Sequence, residues 1–208
     1  MKKLTLFILM LFGFMLNACS TTVSCSQDET EVAGLCIPTE LAPLERALLH
    51  IQEADNYRLD ILIDMDFTSV TLTILFDENK VFYDFVDEVI YFQFIQGQCY
   101  EYTFDDANNR VEQIVSCDSN DQAYGFYRAL EASMFELVQE GLVLKEAYHS
   151  IFEDFFAQTL NEPRVSNVRI ELQDERIDSL SFNLSAQEDS YTFVMTFTEF
   201  ENVEVSID

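Results

Sequence analysis

A long run of alternating apolar and polar residues constrains this chain most. Tyr57, Leu59, Ile61, Ile63, Met65 and Phe67 alternate with Arg58, Asp60, Leu62, Asp64 and Asp66. Successive side chains of a strand point to opposite faces, so the pattern predicts a strand buried on one face. Val70, Leu72, Ile74 and Phe76 repeat it, and Asp77-Glu78-Asn79-Lys80 predicts the next turn. Residues 81–86 and 89–95 are more continuously apolar, which predicts strands covered on both faces. Turns predicted at Gln96-Gly97-Gln98 and at residues 105–109 bracket strands over 99–104 and 110–117. Three alternating segments come near the end: Val168/Ile170/Leu172, Leu180/Phe182/Leu184 and Tyr191/Phe193/Met195/Phe197. A kink at residues 199–202 then leads to Val203, Val205 and Ile207.

Three segments have helical spacing instead. Leu41, Leu44, Leu48 and Ile51 recur every three or four residues, with Pro43 suited to a first turn and Asp55-Asn56 to a stop. A second helix is predicted over residues 122–137, through Tyr124, Tyr127, Leu130, Met134, Phe135 and Leu137. A short strand follows at 141–145. A third helix is predicted over 147–160, with Ile151, Phe152, Phe155 and Phe156 on its apolar side. The order helix, strands, two helices, strands implies an α+β fold, one curved antiparallel sheet with the helices packed on its concave face.

Three passages carry a family resemblance: ALLHIQEADNYRLDILIDM, GLVLKEAYHSIFEDFF and SYTFVMTFTEFENVEVSI. They resemble the LolA/LppX-like bacterial lipoprotein superfamily over about residues 41–208, as a pattern of elements. The resemblance implies a half-barrel around an apolar cavity that carries lipids or acylated lipoproteins. It implies no catalytic residue and no cofactor.

The first residues place the chain. Lys2 and Lys3 form a basic start, residues 4–16 form an apolar core, and Leu16-Asn17-Ala18-Cys19 has the form of a lipobox. The apolar stretch is shorter than the roughly 20 residues a membrane helix needs, so it reads as an export signal. Residues 1–18 are then a lipoprotein signal peptide. Residues 19–40 are the lipidated Cys19 and a polar tether with a small disulfide loop, and residues 41–208 are the α+β domain. Diacylglycerol and an acyl chain such as palmitate on Cys19 would hold the protein on the extracytoplasmic face of the cell membrane, because two or more chains anchor firmly.

Composition agrees with export. Besides Cys19 there are Cys25, Cys36, Cys99 and Cys117, and four cysteines outside the cytoplasm suggest two disulfides with three possible connectivities. Proximity favours Cys25–Cys36. A 99–117 hairpin centred on Asn108 would bring Cys99 and Cys117 face to face, which favours that pair. The chain carries 38 acidic and 11 basic residues, a net charge of −27. Nucleic acid is therefore a poor partner, and none is expected.

No chemistry-bearing motif stands out. The five glycines form no nucleophile elbow, P-loop or dinucleotide fingerprint, and His50 and His149 lie in no zinc motif. The acidic groups Asp60/Asp64/Asp66, Asp84/Asp87/Glu88 and Asp105/Asp106 lack calcium-loop spacing and read as solvated faces. No enzyme, metal or cofactor is expected. Nineteen phenylalanines and nine tyrosines suit a lipid cavity better, and Phe92, Phe94, Tyr100, Tyr102, Phe104, Tyr191, Phe193 and Phe197 are its candidate walls. The expectation is a membrane-anchored lipoprotein that binds or carries a lipid or acyl chain. The alternative is an envelope interaction or scaffolding lipoprotein with a filled core, contacting another envelope protein. Replacing Cys19 by alanine (Cys19→Ala) should move the protein from the membrane to the soluble fraction, read by fractionation and immunoblot.

Overall fold

The computed structural model describes residues 23–206, apart from residues 66, 86–87, 106, 108, 117–124, 140 and 188. The signal, Cys19, Cys117 and Ile207 therefore lie outside the described residues. In chain order the elements are β1 (Glu29–Val32), β2 (Leu35–Pro38), α1 (Ala42–Glu53), β3 (Asn56–Met65), β4 (Thr68–Asp77) and β5 (Lys80–Phe85). Then come β6 (Glu88–Ile95), β7 (Gln98–Phe104), β8 (Arg110–Val115), β9 (Phe135–Val138) and β10 (Gly141–Leu144). Last are α2 (Ser150–Phe156), β11 (Arg164–Gln173), β12 (Arg176–Ala186) and β13 (Asp189–Thr198). Short 3₁₀ turns occupy Gly125–Ala129, Ala132–Met134 and Glu146–Tyr148.

Strands β3 to β13 form one antiparallel sheet in the order β8-β7-β6-β5-β4-β3-β13-β12-β11-β10-β9. The fold is α+β with a large sheet, as the element order implies. Its seam is the central pair β3–β13, which joins the two halves of the chain with Leu59 opposite Phe197 and Ile61 opposite Met195. The alternation over β3 does what it predicts: Tyr57, Leu59 and Ile61 are buried, and Leu62 is exposed. Phe67 is the exception, 99% exposed in the β3–β4 turn.

Helix α1 buries Leu44, Ala47, Leu48 and Ile51, with Pro43 in its first turn, and it packs on β12. Above the sheet, Phe126 and Tyr127 from the first 3₁₀ turn meet Phe152 of α2 and the sheet residues Phe182 and Phe197. Ring centroids are 4.9 Å apart for Phe126–Phe152, 5.1 Å for Phe152–Phe182 and 5.2 Å for Tyr127–Phe197. Phe182 also stacks flat on Phe193 at 4.8 Å. Such ring pairs add to an already large apolar burial.

Several expectations need correction. No α-helix runs over residues 122–137 among the described residues. Residues 125–134 contain two 3₁₀ turns, and Phe135 to Val138 pair with β10, Phe135 facing Leu144. The three-to-four spacing marks burial in part: Tyr127, Leu130 and Phe135 are buried, Met134 is half-buried, Leu137 is 54% exposed, and Tyr124 lies outside the described residues. It arises because tight turns drop successive side chains onto the sheet, and strand pairing then overrides helical propensity. The third helix is shorter than predicted, because only residues 150–156 are α-helical.

The segment before residue 40 is more than a tether. It forms the β1–β2 hairpin, turned by Ala33 (φ 49°) and Gly34 (φ 83°) in the two-residue geometry that favours a glycine. The Cys25–Cys36 disulfide closes it with a Cα separation of 5.4 Å, and the hairpin packs against α1. The 99–117 hairpin is centred on Ala107, so Val115 and not Cys117 faces Cys99. Cys99 is buried and disulfide-bonded, while Cys117 lies outside the described residues. Finally, β5 and β6 are not covered on both faces. Phe82, Ile90, Tyr91 and Phe92 are half-buried, and Phe94 is 50% exposed.

Truncating Phe182 to alanine should cost about 3–5 kcal/mol of stability through loss of packing and a residual cavity. Phe94→Ala should change it by less than about 1 kcal/mol. Urea unfolding followed by circular dichroism compares the two, and similar losses at both sites would contradict this core.

Candidate functional site

Register decides which aromatic residues share a wall. Residues directly opposite in an antiparallel pair lie on the same face of the sheet. Tyr57 faces Phe76, Phe76 faces Val81, Val81 faces Phe92, and Phe94 faces Cys99. Phe92 and Phe94 therefore belong to the face that holds the helices, with Tyr191, Phe193 and Phe197 across β13. Tyr100, Tyr102 and Phe104 do not. Tyr102 faces Tyr91, which faces Phe82, and Tyr100 faces Gln93, so all three lie on the opposite face.

The eight expected wall residues thus split five to three. The reason is the two-residue turn at Gln96 (φ 51°) and Gly97 (φ 83°), which pairs Phe94 with Cys99. A one-residue difference in register moves every side chain to the other face.

Within the helix-bearing set the environments differ. Phe197 is 4% exposed against Tyr127. Tyr191 and Phe193 are half-buried, and Phe193 lies 5.3 Å from Phe156 of α2. Phe92 is half-buried, edge-on to Tyr83 at 5.4 Å. On the opposite face Arg110 sits 5.2 Å over the Tyr102 ring, Tyr91 lies 6.1 Å from Phe104, and Phe82 lies 4.8 Å from Tyr91.

A second concavity lies away from the sheet. The β1–β2 hairpin, α1 and the 3₁₀ segment enclose a cleft of about 470 Å³, lined among others by Leu35, Cys36, Glu45, Leu49, Arg128 and Glu131. Glu45 is the one charged residue buried among the described residues, and its Oε2 accepts the Ala132 N–H at 3.2 Å. Gln52 of α1 donates to the Leu130 carbonyl at 3.0 Å, fastening the helix to the 3₁₀ segment.

Arg128 joins the cleft to the core. Its Nη2 donates to the Ala54 carbonyl at 3.2 Å and to the Tyr57 hydroxyl at 3.0 Å. The guanidinium lies 5.8 Å from both the Tyr57 and Phe76 ring centres. Tyr57 in turn shares a 2.5 Å hydrogen bond with Tyr127. Burial, and next the neighbouring Tyr57, pushes the Tyr127 hydroxyl well above its ordinary 10.0. Burial raises Tyr57 as well, against the pull of Arg128.

The acidic clusters make no ion cage. Among the described residues, no group of three or more His, Cys, Asp or Glu is placed to hold a metal. Asp60 is engaged by Arg58 at 2.8 Å and by Thr73 at 2.6 Å. Asp105 is held below the usual carboxylate range by hydrogen bonds from Asn109 and Ala107 within its own turn. The two histidines serve separate packing roles. His50 packs on Phe200 at 4.8 Å, and His149 Nε2 lies 3.3 Å from the Leu144 carbonyl.

Sequence reasoning misses the cleft residues, although one signal exists. Arg128 is the sole basic residue between Arg110 and Lys145, in a stretch that carries several carboxylates. Comparison with known proteins adds no relative: no family model matches the chain, and no curated protein matches it.

Tyr57 and Tyr127 have a pH consequence. In the unfolded chain both release their protons near 10, whereas the folded protein holds them. Above that pH the unfolded state binds fewer protons, so stability is complete below pH 10 and is lost as pH rises beyond it. A tyrosinate absorbance titration run with circular dichroism should show these two hydroxyls ionising only as the fold is lost. Smooth ionisation of all nine tyrosines with the sheet intact would contradict the buried pair.

Proposed function

We propose that this chain is a lipid-anchored protein of the bacterial cell envelope that binds an apolar ligand, a lipid or acyl chain, in a half-barrel formed by the helix-bearing face of its sheet. The observation that carries this reading is the mismatch between the sheet and its cover. Eleven strands at about 4.8 Å spacing span roughly 50 Å. A helix of 12 residues is only about 18 Å long, and α2 has seven residues. Helix α1 packs on β12 and α2 on β11, so among the described residues the helical cover concentrates on one half of the sheet.

Towards β5 and β6 the same face carries Val81, Ile90 and Phe92 half-buried and Phe94 half-exposed. Along β3 and β13 it carries Ile63, Tyr191 and Phe193, also half-buried. Curvature of the sheet would turn these side chains towards one another as walls. An acyl chain against them would gain about 0.8 kcal/mol for each buried methylene, without any polar chemistry. No catalytic group is needed. Anchored through Cys19 on the extracytoplasmic face, such a protein would take or hand over its ligand near its own membrane.

A second reading, an interaction lipoprotein with a filled core, is favoured by one observation. Phe104, 39% exposed, and Ile114, 65% exposed, share the face opposite the helices at the β7–β8 end of the sheet, since Ile114 pairs with Tyr100. Apolar patches of this kind mark contact surfaces.

Native mass spectrometry of the mature domain, residues 20–208, followed by organic extraction, separates the two. Co-purifying lipid in stoichiometric amount, lost in Phe193→Asp, is expected. An apo mass with no uptake of supplied lipid would remove the carrier reading and leave the interaction protein.

A further inference from the structure

The cleft under the disulfide hairpin has an unusual charge inventory. Arg128 is the one cation in its lining. Among the described residues, its hydrogen bonds go to a carbonyl and to tyrosine hydroxyls rather than to a carboxylate. Against 38 acidic residues, Arg46, Arg58, Lys80 and Arg164 find carboxylates within ion-pair distance, whereas Lys145, like Arg128, donates to a backbone carbonyl. The bonds to Ala54 and Tyr57 both leave from Nη2, and a planar guanidinium has further donors on its other edges.

Two carboxylates line the same cleft and do not pair with Arg128. Glu45, 8% exposed, accepts from the Ala132 backbone. Glu131 meets the Ser133 hydroxyl, at 3.4 Å. Leu35, 57% exposed, and Leu49 are among the residues that give the cleft apolar surface.

An anion alone would satisfy Arg128 but would face two carboxylates. A cation alone would face the guanidinium. A ligand that carries both charges matches every group present. We propose that this cleft is a binding site for a zwitterion with an apolar substituent. Its acid group meets Arg128, its ammonium meets Glu45 and Glu131, and its alkyl part lies against Leu35 and Leu49.

The volume of about 470 Å³ lies in the range of small-molecule sites and suits a dipeptide or the head of an aminophospholipid. These two share the same chemistry. The site is separate from the sheet-face ligand, since no residue of the eleven-stranded sheet lines it. The disulfide also has a role here. Cys36 lines the cleft, so the Cys25–Cys36 bond holds one wall in place.

Isothermal titration of the mature lipidated chain in neutral maltoside micelles tests the proposal. The probes are leucyl-leucine, its N-acetyl form (no ammonium), its C-terminal amide (no carboxylate) and phosphoethanolamine. One-to-one binding of a zwitterion is expected, with each single-charge dipeptide weaker by about tenfold or more, as charge-assisted hydrogen bonds imply. Tighter binding of phosphoethanolamine than of leucyl-leucine assigns the site to a lipid head. The reverse assigns it to a peptide.

Glu131→Gln should weaken leucyl-leucine and leave the N-acetyl form unchanged, a split that a general loosening of the fold would not produce. Arg128→Gln should abolish binding. Because Arg128 also fastens the end of α1, Ala129→Asp at an exposed position provides an independent test by setting a carboxylate beside the guanidinium, and it too should weaken binding. Equal affinity for the parent dipeptide and both analogues, no change on Glu131→Gln, or no binding of either zwitterion would overturn the proposal.

Discussion

The described structure depends on covering one apolar face of a very wide sheet with two short helices and a few tight turns. A sheet of this width usually splits, curls or is roofed by several long helices. Among the described residues the roof is α1, a seven-residue α2 and a few 3₁₀ turns. What compensates for the lack of helix is aromatic size. Phe126, Tyr127, Phe152 and Phe182 are each buried, and each such ring removes some 150–250 Å² from water. Large side chains from short turns thus do what helical length would otherwise do, but only above the β12, β13 and β3 part of the sheet.

The second constraint is polar. The end of α1 must be secured, because its last carbonyls have no partners within the helix. Arg128 takes the Ala54 carbonyl and the Tyr57 hydroxyl together, and Tyr57 takes Tyr127. One chain of hydrogen bonds therefore links α1, the first strand of the large sheet and the 3₁₀ segment. At the start of β3, Asn56 does a related job. Its side chain bonds both the N–H and the carbonyl of Val203, and Asp77 accepts the Val205 N–H. These bonds pin residues 203–205, which form no strand, across the ends of β3 and β4.

Much of this is legible in residue order, and the misreadings have definite causes. Periods of two mark β3, β4 and the three strands β11 to β13, because one-sided burial imposes that period directly. The helix over residues 42–53 is legible for the same reason, with Pro43 at its start. Phe135 to Val138 is not, because a buried residue every third or fourth position looks alike in an α-helix and in consecutive tight turns. Tyr100, Tyr102 and Phe104 fall off the expected wall because alternation reveals that faces alternate and not which face is inward. The turn at Gln96-Gly97 settles that, and its register becomes visible only with Phe94 set against Cys99. Arg128 and Glu45 are beyond reach in a different way, since their meaning lies in contacts between segments more than 70 residues apart.

The choice of arginine at position 128 follows from that setting. A lysine ammonium is compact and strongly hydrated, and it would lose more on being half-buried beside the stacked Tyr57 and Phe76 rings. A guanidinium is flat, weakly hydrated and able to stack on rings while donating from its edges. Pairing it with a carboxylate inside the same pocket would add the cost of desolvating a second charge. The neighbouring acids are instead directed elsewhere, Glu45 to the Ala132 N–H and Glu131 towards Ser133. The cleft therefore keeps its positive and negative groups apart, held by the packing of α1 against the 3₁₀ segment. Separated charges of this kind are satisfied by water or by a solute carrying both signs. In a chain whose surface charge repels most polyanions, such a solute can approach without the electrostatic penalty an anion would meet.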